Sequence, residues 1–303
     1  MSAEFTILAS GSSGNAAFLS ANGFGLLIDC GIGPRSLSDR LAAAGAKWPN
    51  VSAVLLTHLH GDHWKGLTLL HLLRLRIPLI VHPAHVAQLH DHAPEFPALA
   101  KANLVRTFHD GEPFALADGL RCLPVRVPHD SDPTFAFRFD GTAPDGLGWS
   151  VGHASDLGHV PKSLAAAFRS VDVLAVEYNH DVEMQRRSRR TQQLIARVLG
   201  THGHLSNRQA ADFTQDLLLN RTTPLQALFQ LHLSRECNTP ELAHATASEV
   251  LSDLSPRTVL VTAGQDRPTR TVRVRPRSPD RPASNLSLSP IRTSFQPPLP
   301  GMA

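Results

Sequence analysis

Four side chains able to bind a metal ion, His58, His60, Asp62 and His63, fall within six consecutive positions, and nothing else in the 303-residue chain restricts its fold so sharply. The apolar triplet Val54-Leu55-Leu56 before them reads as a buried strand, and a helical period starts near Trp64. The cluster therefore sits on one turn between a strand and a helix. Because side chains alternate along a strand, His58 and His60 can serve one ion, while the reversal at Gly61 directs Asp62 and His63 toward a second. Imidazole nitrogens joined by one carboxylate suit Zn2+, Mn2+ or Fe2+ better than Ca2+ or Mg2+, with Zn2+ as the first expectation. Neither charge nor packing accounts for this order of residues on a plain solvent-facing turn.

One turn cannot close two coordination spheres, so this reading requires ligands at the ends of other strands. Three residues answer it. His129 ends the run Leu123-Pro124-Val125-Arg126-Val127-Pro128, Asp156 follows Ser150-Val151-Gly152-His153, and His232 ends Leu228-Phe229-Gln230-Leu231. Each taken alone reads as an ordinary turn residue. As companions of the four-residue cluster they complete a set. Asp29, after Leu26-Leu27-Ile28, stands at a strand end in the same way, where a turn aspartate is an equally good account.

Strand-like runs recur at 5–9, 25–29, 53–57, 79–82, 104–108, 120–127, 134–139, 148–153, 171–177, 225–231 and 258–262. Helical periodicity is clearest at 64–75, 191–199, 206–219 with Ser206 as N-cap, and 240–254 with Thr239 as cap and Pro240 at the first position. A strand-rich front with helices accumulating toward the back predicts a layered α/β sandwich over residues 1–264. Beyond Gly264 the chain turns to Pro, Arg and Ser with little apolar periodicity, which predicts a disordered tail over 265–303. Seven Arg against two Asp give that tail a net charge of +5, more than the +3 of the whole chain, so residues 1–264 are slightly acidic. A basic extension of this kind can bind a polyanion or stand simply solvated.

A composition of 42% hydrophobic and 18% charged residues supplies an ordinary globular core. The longest apolar stretches break well short of the roughly 18 residues of a membrane span. The first residues lack the basic segment, apolar stretch and cleavage site of a secretory leader, so a cytoplasmic location with no membrane partner is expected. Cys30, Cys122 and Cys237 are scattered and form no Cys-x-x-Cys pair, which argues against a disulfide framework and a cysteine zinc site and for buried thiols.

The ordered set Asp29, His58-x-His60-x-Asp62-His63, His129, Asp156 and His232 resembles the five motifs of the metallo-β-lactamase superfamily, spread over nearly all of residues 5–262. The resemblance implies a four-layer αββα sandwich holding two divalent metal ions. His58, His60 and His129 would hold one ion, Asp62, His63 and His232 the other, and Asp156 would bridge them. Asp29 would orient an imidazole rather than bind metal, and it is counted with Asp62 among the catalytic residues. Paired divalent ions lower the pKa of a shared water toward neutrality and polarise the electrophile, so hydrolysis is the expected reaction. The ions do not choose among a lactam, a thioester, a lactone and a phosphodiester, because one fold carries all of these.

Four further segments are similar to the YycJ/WalJ group, regarded as DNA exonucleases acting from the 5′ end: 9–15, 177–181, 203–207 and 232–234. The third and fourth are also similar to ribonuclease Z and related phosphodiesterases, a resemblance that implies His204 protonates the leaving oxygen. Cys237 departs from the pattern, where paired asparagines are more usual. The residues support a phosphate substrate on their own terms too. Backbone N–H groups and hydroxyls of Gly11-Ser12-Ser13-Gly14-Asn15 can cradle an anion, although such a loop also serves as a plain turn. Ser12, Ser13, Asn15, Asn179, His180 and Ser206 are the expected substrate contacts, and Glu177 is expected to orient His204. His153, His159 and His202 could support the site or be exposed. The run Arg186-Arg187-Ser188-Arg189-Arg190 suits a nucleic-acid backbone as well as it suits a solvated helix face. The leading expectation is a DNA 5′-to-3′ exonuclease. Its competitors are a small-molecule phosphodiesterase or ester hydrolase of the same fold, and a nucleic-acid-binding module with a vestigial metal site.

Overall fold

A computed structural model describes residues 3–143, 146–221 and 223–277. One mixed sheet contains β1 (Ala3–Ala9), β2 (Ala16–Ala21), β3 (Phe24–Ile28), β4 (Ala53–Leu55), β5 (Leu79–Val81) and β6 (Val105–Thr107), in that order, with β14 (Val272–Val274) outside β1. The second runs β7 (Phe114–Ala117), β8 (Leu120–Val127), β9 (Thr134–Thr142), β10 (Gly148–Ala154), β11 (Val173–Glu177), β12 (Ala227–Leu231) and β13 (Val259–Thr262). The central strands are apolar on both faces because each face is covered. In β4, Ala53 and Leu55 join Phe5, Phe135, Phe137 and Phe229 between the sheets, while Val54 packs outward. In β11, Val173 and Ala175 face inward and Leu174 and Val176 outward. Continuous Val/Leu/Ala runs are what parallel strands buried on both sides require.

Helices close the two outer layers. α1 (Pro34–Ala43), α2 (Gly66–Leu75), α3 (Pro83–His92) and α4 (Phe96–Lys101) cover the first sheet through Leu37, Leu41, Leu69, Leu72, Leu89 and Leu99. α5 (Lys162–Ala167), α8 (Asn207–Leu219) and α9 (Pro240–Leu254) cover the second through Leu164, Phe213, Leu217, Ala247 and Leu251. The result is the expected four-layer αββα sandwich. Two helices, α6 (Val182–Arg187) and α7 (Gln192–Leu199), join neither outer core and instead follow β11 at one end of the molecule. Beside α2, which the period at 64–75 predicts, α1, α3 and α4 correct the expectation that helices gather toward the back. They run only 6 to 10 residues and bury two or three side chains each, too few turns for a period to stand out. Among the described residues no helix is long and apolar enough to cross a membrane.

Strand direction decides where function can sit. β3 to β6 are mutually parallel, as are β10 to β13. β1 shares the direction of β3, and β8 that of β10, because each is separated from it by one antiparallel strand. The segments that carry Asp29, His58 to His63, His129, Asp156, Glu177 and His232 thus lie at the carboxyl ends of co-directed strands, the end where open α/β sheets bind ligands, whereas 203–207 joins α7 to α8.

The opposite end corrects the expected boundary at residue 264. After Gly264 the chain returns along β1: the Thr269 N–H donates to the Ile7 carbonyl, and Val272–Val274 pairs with Ala3–Phe5. Arg275 and the Gln226 side chain exchange hydrogen bonds, and Arg277 places its guanidinium on both oxygens of Asp172, which is only 1% exposed. This strap ties the first sheet to the second at their far pole. A three-residue Val-Arg-Val strand is too short to show a period, and the Arg content that suggested solvation is here neutralised by a buried carboxylate. The expected disorder of 278–303 concerns residues outside those described.

Candidate active site

The turn after β4 is held at both ends by Asp29. Its carboxylate accepts hydrogen bonds from the Thr57 N–H at 2.8 Å and the Thr57 hydroxyl, and Oδ2 lies 2.7 Å from His63 Nδ1. That contact fixes the ring so that His63 Nε2 faces Asp62 Oδ2 at 3.7 Å and Asp156 Oδ2 at 3.1 Å. The backbones pack so closely that a Cβ added to Gly31 would stand 1.6 Å from the Asp62 carbonyl oxygen. Only glycine fits there.

The expected ligands converge as two groups. His58 Nε2 is 3.1 Å from His60 Nδ1, which is 3.3 Å from His129 Nε2. His129 Nδ1 lies 3.0 Å from the Gly203 carbonyl, a contact that aims Nε2 into the group. The ligand atoms of Asp62, His63 and His232 form the second group, all within 4.8 Å of one another, as in the first. Asp156 reaches both, with Oδ1 3.1 Å from His232 Nδ1 and 4.0 Å from His129 Nε2. Asp29, Asp156 and His232 each adopt a left-handed backbone, with φ of 62°, 55° and 54°. Such conformations cost of order 1–3 kcal/mol apiece and persist where surroundings enforce them. At His232 the N–H donates to Ser10 Oγ at 2.8 Å and the carbonyl accepts from Asn179 Nδ2 at 2.9 Å.

The donors fit divalent cations. Asp156 Oδ2 and His232 Nε2 are buried without a well-formed hydrogen bond, and although burial opposes it, Asp156, Asp62 and Glu177 hold the His232 imidazole well above its ordinary pKa. Burial pushes the His58 imidazole well below its ordinary pKa, and burial likewise lowers His60 and His129, leaving neutral rings with a free lone pair. Burial opposes charge on Asp156 as well, but His232, His63 and His58 outweigh it and hold the carboxyl well below its usual range. His63 goes the other way: burial would lower it, yet Asp29 and Asp156 raise it to about 10. The carboxylates thus call for positive charge among them. Five imidazoles with two carboxylates suit zinc, manganese or iron. The thiol of Cys30, raised to about 12 by burial and Asp29, is no competitor as a ligand.

Glu177 closes β11 and is fully buried. Its Oε2 accepts from the Leu157 and Leu205 N–H groups, both at 3.1 Å, and its Oε1 lies 2.6 Å from His204 Nδ1 and 3.0 Å from His232 Nδ1. Burial works against the charged carboxylate, but His204 and His232 hold it at about 2. Burial also opposes charge on His204, and Glu177 reverses that, raising the imidazole above its ordinary value. His204 also borders a cleft of about 760 Å³ lined by Ser12, Asp130, Asn179, Arg189, Arg190 and Arg197 among others.

Several expected substrate contacts have other duties. Asn15 is buried under the metal turn, where its N–H donates to the Asp62 carbonyl at 2.7 Å and its Nδ2 lies 3.1 Å from Asp62 Oδ2 and 3.0 Å from His63 Nε2. Ser206 caps α8, its hydroxyl accepting from the Gln209 N–H and donating to Gln209 Oε1. His180 is buried off the cleft wall with neither ring nitrogen bonded, and burial lowers it to about 4. Ser13 is exposed but does not border the cleft, whereas Ser12 and Asn179 do. His153 lies edge-on to Phe5 in the interior, and His159 and His202 sit beside Thr201 at the surface.

Sequence reasoning missed Ser10, Thr57 and, above all, Asp130. The Asp130 carboxylate stands 3.2 Å from His129 Nε2 and 3.5 Å from His60 Nε2, and its other oxygen is hydrogen-bonded to Arg197 of α7. An acidic residue directly after a candidate ligand was the available signal.

Residues 25–225 match the family described as the beta-lactamase superfamily domain. The chain is 29% identical over 243 residues to Exodeoxyribonuclease WalJ of Streptococcus pneumoniae serotype 2 (strain D39 / NCTC 7466), spanning 80% of this chain and 86% of that protein. It is 27% identical over 260 residues to Exodeoxyribonuclease YycJ of Bacillus anthracis, spanning 84% and 90%. Among solved structures, the metallo-beta-lactamase fold protein YhfI from Bacillus subtilis aligns with a TM-score of 0.63 at 15% identity over 90% of this chain and 100% of that one, a likeness that concerns the fold alone.

Proposed function

The chain belongs to the β-lactamase superfamily, and from that premise we propose that it is a two-metal phosphodiester hydrolase degrading DNA from the 5′ end. His58, His60 and His129 would hold one cation and Asp62, His63 and His232 the other, with Asp156 in reach of both ligand groups. Such ions, when bound, lower the pKa of water and polarise the ester. The residues of the chain do the rest. Asp29 and Gly203 fix the ring orientations of His63 and His129. Glu177 holds His204 protonated and turned toward the cleft, so that the imidazolium can give its proton to the departing oxygen.

The observation that carries the reading is the 2.6 Å Glu177–His204 contact, made beside both ligand groups and at the wall of an arginine-bearing cleft. The three arginines that line the cleft suit the phosphates of a polynucleotide. The resemblance to exonucleases named WalJ and YycJ supports DNA, and the 5′-to-3′ direction rests on that resemblance. The same reading places the protein in the cytoplasm. Purified protein supplied with Mn2+ or Zn2+ should shorten DNA from the 5′ terminus, as followed with label at either end, and His60→Ala or Asp156→Ala should abolish the reaction. Activity that survives both substitutions overturns the proposal. Rapid turnover of a chromogenic phosphodiester with DNA left intact would instead identify a small-molecule phosphodiesterase.

A further inference from the structure

The five-residue run 186–190 is two features, divided by the end of α6. Arg186 and Arg187 lie in the last helical turn and reach back to Glu183 at 3.5 and 3.4 Å, a solvated helix face. Ser188 then turns extended, with φ −65° and ψ 159°, and its hydroxyl donates to the Gln185 carbonyl at 2.8 Å. The chain leaves the helix axis there, and Arg189 and Arg190 border the cleft. Arg190 is held in place by Glu236 at 2.8 Å, Gln185 Oε1 at 3.2 Å and Ser234 Oγ at 3.2 Å. The other cleft arginine, Arg197, is engaged by Asp130. Arg189 is exposed and has no ion-pair partner among the described residues, so it is the uncompensated charge of the cleft.

Resting on the phosphodiesterase reading above, we propose that Arg189 and Arg190 form a subsite for a backbone phosphate on the leaving-group side of the scissile bond. His204 gives the direction. It lies 3.8 Å from Asp156 among the ligand groups and also lines the cleft, so the strand attached to the oxygen it protonates departs into that cleft. The first phosphate along that strand meets a free guanidinium and a second one already oriented. Glu236 is 69% exposed and opposes Arg190 only as a surface carboxylate, which a phosphate can displace. Planar guanidinium forks match phosphate oxygens in pairs. The subsite takes a polynucleotide and leaves unaided any ester whose leaving group carries no phosphate.

The test measures binding apart from chemistry. In a His60→Ala background, which leaves DNA uncut, adding Arg189→Ala should weaken affinity for a labelled oligodeoxynucleotide about tenfold and lower the slope of log affinity against log salt by about one. Adding Arg186→Ala should change neither. In otherwise native protein, Arg189→Ala should raise KM for DNA by a larger factor than it raises KM for bis(p-nitrophenyl) phosphate, and equal factors would overturn the subsite. Equal effects of the Arg189 and Arg186 substitutions on affinity and slope would overturn the subsite with the nuclease reading intact. DNA that is bound with this Arg189 dependence but never cut by the wild-type protein would overturn the nuclease reading and, with it, the leaving-group placement, leaving Arg189 as a phosphate contact alone. No DNA binding even at low salt would remove both.

Discussion

At the far pole Asp172 is buried with Arg277, and Ser150 supplies its N–H at 2.7 Å, so both carboxylate oxygens are engaged from within the chain. At the site pole Asp156 is buried to the same degree, 1% exposed, but its partners are imidazoles, His63 at 3.1 Å from Oδ2 and His232 at 3.1 Å from Oδ1, and its backbone is left-handed. Each pole withdraws charge from water, which is costly unless the charge is paired. The strap completes its own pairing. The site pairs its carboxylate with His63 and His232, side chains that are themselves candidate metal ligands. The contrast separates a buried carboxylate that ties the fold together from one that keeps a place for a ligand, and it can be broken at either end.

Arg277→Ala should cost about 3–5 kcal/mol of stability, since it leaves Asp172 buried beside neutral partners. Urea unfolding in a chelator measures this, and a loss below about 1 kcal/mol would remove the distinction between the poles. A chain ending at Gly264 should be less stable still, because β14 goes too. Folded Arg277→Ala should keep its rate on DNA. The converse variant is His204→Asn, which keeps a donor near Glu177 but has no proton to transfer. It should lose at least about a hundredfold in kcat, roughly 2.7 kcal/mol, with the unfolding midpoint nearly unchanged. Metal addition should act on one pole only. Zn2+ or Mn2+ at a hundred times Kd should stabilise wild type and Arg277→Ala alike by about 2.7 kcal/mol, and Asp156→Ala by much less. A full shift in Asp156→Ala would mean the ion binds elsewhere. The smallest effect expected is at Asp130, where alanine should weaken metal affinity about tenfold by freeing His60 Nε2, with asparagine losing less. Chelator competition reads this, and equal affinities would deny Asp130 a part in orienting the ring.

That the candidate ligands would cluster was legible in the sequence for a physical reason. His58 to His63 crowd one turn, and the remaining ligands stand where apolar runs stop, so chemistry and punctuation coincide. The Glu177–His204 contact was harder to see, because two segments 27 positions apart had to meet. Asn15 and Ser206 were misassigned because short polar side chains in turns also satisfy backbone groups and neighbouring side chains, a use that leaves no distinct mark on composition. Asp130 was hidden beside a stronger signal. The short helices α1, α3 and α4 and the strap were hidden by length, since two or three buried positions in two or three turns make no clear period. The arginine run held both of its readings at once, one on each side of Ser188.

The strap also sets the molecule's polarity for anything joined to it. Arg277 is anchored where β10, β11 and β12 begin, a full strand length from the ends that carry Asp156, Glu177 and His232. A surface, label or fused partner attached beyond that residue starts from the pole away from the cleft. An immobilised preparation tethered there would present its cleft outward to long DNA.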